Sequence, residues 1–320
     1  MIGRRADFAG RSFISGGDFA RACGPPSESR FLRVDGYRIY VRTFGARNRG
    51  RTLLCVHGGP GGTHDYVLPL SDLARSGYQV VFYDALGCGR SDLPEGLELY
   101  TLEHDLHVLD RVRRSLGPGR IHLMGSSYGG MLALAYAARH SEHLLSLNST
   151  GGLCDVPFAS AEMRRLVREL PRRIQRVLQK YARRGEYEHP EYEAAKMEFY
   201  RRHLCRLSPW PEDLVSTLLR VSRPVYNTMI GPNEFTIIGN IKDFDFSDEL
   251  ERISVPSLIL HGRYDEVTPA VGERIHRTIP GSRFHVFPHS SHVSFWEERP
   301  EYMRLVLGFL RRAERVPRGC

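Results

Sequence analysis

The segment Gly125-Ser126-Ser127-Tyr128-Gly129 follows a short apolar run, Ile121 to Met124, and precedes a run of small, helix-favouring residues, Met131 to Arg139. This context reads as a strand, a sharp turn and a helix, with Ser127 at the apex. A serine hydroxyl is a weak nucleophile unless the turn exposes it and a base lies beside it. The flanking glycines let the turn close tightly. Gly-x-Ser-x-Gly is a weak signal alone and a strong one between a strand and a helix.

Outward from that turn, the chain alternates strands and helices. Phe31 to Val34 and Tyr37 to Val41 around Asp35-Gly36 read as a hairpin at an antiparallel edge. Buried parallel strands are expected at Leu53–Val56, Val80–Tyr83, Ile121–Met124 and Leu144–Leu147, with a helix over Leu102–Leu116. The pattern then changes to charged amphipathic helices, Ala161–Arg184 with a break near Pro171, and Glu191–Leu207. Strand patterns resume at Ser257–Leu260 and Phe284–Phe287, and Glu301–Arg312 reads as a closing helix. The expected fold class is α/β, a doubly wound and mostly parallel sheet with a helical cap insertion. The corresponding division is an extension over 1–30, core over 31–153, cap over 154–245 and core again over 246–320.

Size and composition agree with that division. A chain of 320 residues with 41% hydrophobic content can bury a large core. The net charge of +8 comes from dispersed pairs such as Arg113-Arg114 and Arg183-Arg184, interleaved with acids. It reads as a solvated surface rather than a nucleic-acid stripe. The longest unbroken apolar run, Met131–Ala138, is far below the roughly 20 residues a membrane span needs. No signal-peptide pattern follows Met1–Arg5, and the six cysteines form no CxxC pair or metal-ligand spacing. A cytoplasmic protein without a metal or cofactor is expected, with neither nucleic acid nor membrane as partner.

Serine chemistry needs a base and an orienting acid. In doubly wound sheets with a serine at such a turn, the chain order is nucleophile, acid, base. Asp265, in the loop after Ser257–Leu260, and His292, in Ser290-Ser291-His292 after the last strand, supply that order behind Ser127. His289 is the nearby rival for the base. Backbone donors for a developing oxyanion are expected from Gly59, in His57-Gly58-Gly59-Pro60-Gly61-Gly62, and from Tyr128. A phosphate cradle is the other reading of that Gly-rich loop. It fails because there is no GxGxxG or GK[ST], and Pro60 removes an amide.

Together these residues resemble the proline iminopeptidases of the α/β-hydrolase fold, the serine aminopeptidases that include the tricorn-interacting factor. The resemblance spans Phe31 to Leu310. It rests on His57–Gly62, Tyr83–Asp92, Gly125–Gly130, Gly231-Pro232-Asn233-Glu234-Phe235, Gly262–Pro269 and Ser291-His292. It implies release of one N-terminal residue, often proline, from a short peptide, and it assigns Glu234 and Glu266 to hold the substrate's free ammonium. A buried carboxylate is the natural partner for that charge. Similar enzymes often carry glutamine where this chain has Ala85. Two alternatives remain open: a hydrolase of amino-acid amides or small esters with the same triad, and a binding module that has lost turnover. Epoxide hydrolases and dehalogenases place aspartate at the turn, so Ser127 argues against them.

Overall fold

The computed structural model describes residues 26–45 and 51–315; most of the expected 1–30 extension lies outside them. Eight strands form one sheet: β1 (Glu28–Val34), β2 (Tyr37–Phe44), β3 (Thr52–Val56), β4 (Gln79–Tyr83), β5 (Ile121–Ser126), β6 (Leu144–Thr150), β7 (Ser257–Gly262) and β8 (Arg283–Phe287). Their order is β1-β2-β4-β3-β5-β6-β7-β8. β2 runs antiparallel to both neighbours, and all other pairs are parallel. β1 starts at Glu28, three residues before the apolar alternation begins, because Glu28 to Arg30 pair with Thr43 to Val41. A sequence pattern records burial, whereas an edge strand is held by backbone pairing as well.

β3 and β4 are buried along their whole lengths, as expected for parallel strands covered on both faces. Alternate residues feed two cores. Leu54, Val56, Val81 and Tyr83 join one apolar cluster with helices α1 (Leu102–Ser115), α2 (Tyr128–His140) and much of the cap. Leu53, Cys55, Val80 and Phe82 join a second, which includes residues from the 3₁₀ segment His64–Ser76. The cap consists of α3 (Val156–Glu169), α4 (Arg172–Ala182), α5 (Pro190–His203), α6 (Glu212–Leu219) and α7 (Arg223–Met229). It contains no strand. The break falls at Leu170-Pro171, since proline cannot donate the bond that would continue α3. α3 starts at Asp155, whose carboxylate accepts from Phe158 N at 2.8 Å as an N-cap. The core resumes with α8 (Pro269–Thr278), α9 (Ser294–Glu297) and α10 (Arg299–Ala313).

The chain enters and leaves the cap through one neck. Asp155 bridges Asp245, Val156 N donates to Phe244 O at 2.9 Å, and Phe246 N donates to Cys154 O at 3.0 Å.

Candidate functional site

Ser127 stands alone between the end of β5 and the start of α2, with φ 59° and ψ −126°. A positive φ in a serine is strained, and strain of this kind costs about 1–3 kcal/mol. The surrounding structure over-determines it. Ser127 N donates to Thr150 O at 2.9 Å, and its carbonyl accepts from Gly130 and Met131. A Cβ at Gly125 would lie 1.9 Å from Gly129 O, and one at Gly129 would lie 2.4 Å from the carbonyls of Val56 and His57. Only glycine fits at either position.

Asp265 follows β7, and His292 follows β8. Asp265 Oδ1 accepts from His292 Nδ1 at 2.6 Å and from Val267 N at 2.9 Å, which fixes the proton-bearing nitrogen as Nδ1. His292 Nε2 is buried and makes no hydrogen bond among the described residues. The rival His289 is exposed, and its backbone N donates to Glu298. The end of β6 ties this pair to the turn. Thr150 holds Ser127 N, while the next residue, Gly151, lies against the imidazole: a Cβ there would meet His292 Cε1 at 2.7 Å and Nδ1 at 2.8 Å.

One further carboxylate contacts the imidazole, and the charge of a second acts on it. Glu266, fully interior, places Oε1 at 3.8 Å from His292 Nε2, and its Oε2 is buried without a partner. Glu234 comes from the cap, and its two oxygens accept from Tyr226 OH and Tyr200 OH at 2.5 Å each. Next to it, the buried Asn233 donates to Tyr192 OH at 2.7 Å and anchors the turn. Burial opposes a charge on His292, but Asp265, followed by Glu266 and Glu234, outweighs it and raises the imidazole to about 9. Burial likewise pushes the Glu266 carboxyl well above its usual range, with Glu234 and Asp265 adding to the shift and His292 opposing it. The His292–Glu266 pair therefore holds a proton more tightly than either group would in water.

The Gly-rich loop is held by hydrogen bonds to His57 and Gly58. His57 Nδ1 donates to Gly58 O at 2.8 Å, while its Nε2 accepts from Ala85 N at 3.0 Å; burial keeps the ring below its usual pKa. Gly58 N donates to Tyr66 OH at 2.8 Å. Asp84 accepts from His64 Nδ1 at 2.8 Å and from Arg90 N at 2.9 Å. Burial works against its ionisation, but His64 and His57 hold its carboxyl down to about 2. The Tyr83–Asp92 motif thus organises this loop. Tyr128, expected to supply an oxyanion amide, donates its hydroxyl to the buried Asp105 at 2.7 Å.

The end of α5 touches both loops that carry Asp265 and His292. His203 O accepts from Glu266 N and from His292 N, each at 3.1 Å, and its Nδ1 donates to Tyr264 O at 2.8 Å. Arg206 N donates to Glu297, whose carboxylate also takes Ser291 N. This is why α5 stops at His203 rather than at the expected Leu207: the chain turns to bond the loops. Tyr200, Tyr226, His203 and Gly151 carry no local signal for these contacts. Trp210 Nε1 donates to Cys205 O at 2.9 Å. A cavity of about 620 Å³ in the cap is lined in part by Glu186, Glu188, Arg223, Gly231 and Pro232. It adjoins the Glu234 turn, and its lining includes none of Ser127, Asp265 and His292.

The chain has relatives among known proteins. A family profile described as alpha/beta hydrolase fold matches residues 51–299. A proline iminopeptidase of Saccharolobus solfataricus is 44% identical over 88% of this chain and 92% of its own length. One of Thermoplasma volcanium is 45% identical over 88% of this chain and 96% of its own. Among solved structures, VinJ superposes with a TM-score of 0.88 at 36% identity, covering 90% of this chain and 100% of VinJ. The proline iminopeptidase of Mycobacterium smegmatis gives 0.84 at 33% identity, covering 90% and 99%.

Proposed function

We propose, because the chain belongs to the proline iminopeptidase family of the α/β-hydrolase fold, that it is a serine aminopeptidase releasing N-terminal proline from short peptides. The observation that carries the reading is a His292–Asp265 pair with Glu266 beside its other ring nitrogen and the charge of Glu234 acting on it. In this reading Ser127 Oγ attacks the carbonyl of the first residue. His292 Nε2 takes the hydroxyl proton and returns it to the departing amine, while Asp265 holds the imidazole through Nδ1. The amides of Gly59 and Tyr128 take the developing oxyanion. Water then hydrolyses the acyl-enzyme with His292 as base.

Glu234 and Glu266 hold the ammonium one residue from the scissile carbonyl. A charge pair of this kind, once broken in a buried site, costs about 3–5 kcal/mol. No helix among the described residues is long and apolar enough to cross a membrane. We place the activity in the cytoplasm, in keeping with the buried free cysteines among the described residues, Cys55, Cys88, Cys154 and Cys205.

The test is hydrolysis of prolyl and alanyl anilides, each free and N-acetylated, by the wild type and by Glu234→Ala and Glu266→Ala. Cleavage of the free forms alone, with kcat/KM reduced at least about 100-fold in each variant, is the expected result. Equal cleavage of acetylated forms points to a general amidase or esterase and overturns the aminopeptidase. Turnover of amino-acid amides in preference to peptides redirects the reading to an amidase.

A further inference from the structure

The imidazole of His292 lies between two carboxylates, with Asp265 at 2.6 Å from Nδ1 and Glu266 at 3.8 Å from Nε2. The second contact involves the nitrogen that has to accept the Ser127 proton. Both it and Glu266 Oε2 are buried and make no hydrogen bond among the described residues, so each has unmet capacity. The ion-pair partners of Asp265 and Glu266 are histidines, His261 and His292. Two buried carboxylates against one imidazole, with the charge of Glu234 acting on both, make an interior site that favours a further cation.

We propose that the free site retains one proton on the His292 Nε2–Glu266 pair and that the substrate's ammonium displaces it, so that the base is released to Ser127 only when an N-terminal amine is bound. The proposal rests on the aminopeptidase reading of the same site. The step balances: one ammonium enters, one proton leaves to solvent, and Nε2 then accepts the Ser127 hydroxyl proton as Oγ bonds to the carbonyl carbon. The free amine thereby raises kcat as well as affinity, because an acylated N-terminus leaves the base occupied.

The other groups around the pair do not supply this proton in the same range. Tyr66, Tyr200 and Tyr226 are pushed up by burial and stay protonated. His261 and His203 are pushed down by burial and stay neutral. Glu297, which burial raises to about 7, bonds the Ser291 amide in the His292 loop and is the group the experiment has to separate.

The deciding measurement is calorimetric titration of the wild-type enzyme with pyrrolidinium at pH 8 in buffers of different ionisation enthalpy. Release of close to one proton per site, retained in Glu297→Gln and lost in Glu266→Gln, is expected from a raised group returning to its ordinary range. Binding with no proton release, or no detectable binding, overturns the proposal. So does release that is lost in Glu297→Gln. A second readout that needs no variant is the rate of Ser127 sulfonylation by phenylmethanesulfonyl fluoride. Pyrrolidinium should lower the pH midpoint of that reaction and accelerate it some tens of fold at pH 7; slowing at every pH with a fixed midpoint counts against the coupling. Failure here leaves the preference for free over acetylated anilides intact, whereas failure of the aminopeptidase reading removes that preference itself.

Discussion

Gly151 is the residue whose importance is least visible in its own chemistry. Its φ of +57° and its contact with the His292 ring leave no room for a side chain. Gly151→Ala should push the imidazole aside, and in the proposed mechanism misplacement of that base by about 1 Å costs up to about 100-fold. The expected result is a kcat reduced about 10- to 100-fold with Tm lowered by only a few degrees. An unchanged kcat would show that the ring does not depend on this contact. Asp105, beneath Tyr128, supplies a second test. Burial raises its carboxyl to about 7, against the Tyr128 hydrogen bond that favours the ionised form. A folded-state value raised above the unfolded one gives stability that is full below about pH 4 and lost as pH rises through about 7. Asp105→Asn retains an acceptor for Tyr128 and cannot ionise. Its Tm relative to wild type should therefore be higher at pH 8 than at pH 5, and an equal difference at both would refute the assignment.

Among the elements, the cap neck and α5 do different work. Asp155 caps α3 and pairs with Arg274 at 2.7 Å, at the point where the chain leaves the core. Asp155→Ala should cost about 1–2 kcal/mol, mostly from the lost cap, since the arginine is partly exposed and adds little. Thermal denaturation should show a Tm lower by a few degrees while kcat/KM stays within about twofold of wild type. A large loss of activity would mean that the neck positions the site and does not merely stabilise the cap. α5 does position it: one carbonyl, at His203, holds the amides of both Glu266 and His292, and Tyr200 on the same helix holds Glu234. The periodicity of α5 announced a charged amphipathic helix, but it held no sign of where the helix would dock.

Across the whole molecule, cap and core share their apolar interior. Phe199 and Met163 of the cap lie in one cluster with sheet residues, and Cys205 and Leu214 lie in the other. The two tryptophans report separately, Trp210 from the cap and Trp296 from α9. In single-tryptophan variants, Trp210→Phe and Trp296→Phe, the fluorescence transitions should coincide as one cooperative unit. A cap transition well below the core transition would show that they unfold separately.

What the sequence determined by itself is what local pattern encodes. The strand, turn and helix around Ser127, the fully buried strands, the break at Pro171 and the order Ser127, Asp265, His292 all follow from periodicity, turn chemistry and spacing along neighbouring residues. The tertiary structure alone decided which histidine meets Asp265, that Gly151 touches the ring, and that Tyr200 and Tyr226 clasp Glu234. It also decided that Glu266 stands beside the free nitrogen of His292. Apart from the adjoining Tyr226–Glu234 turn, these contacts join residues far apart in the chain, and no periodicity constrains such pairs. They exist because the sheet order and the docked cap bring the loop ends to one point, where burial then turns ordinary carboxylates into strongly coupled ones.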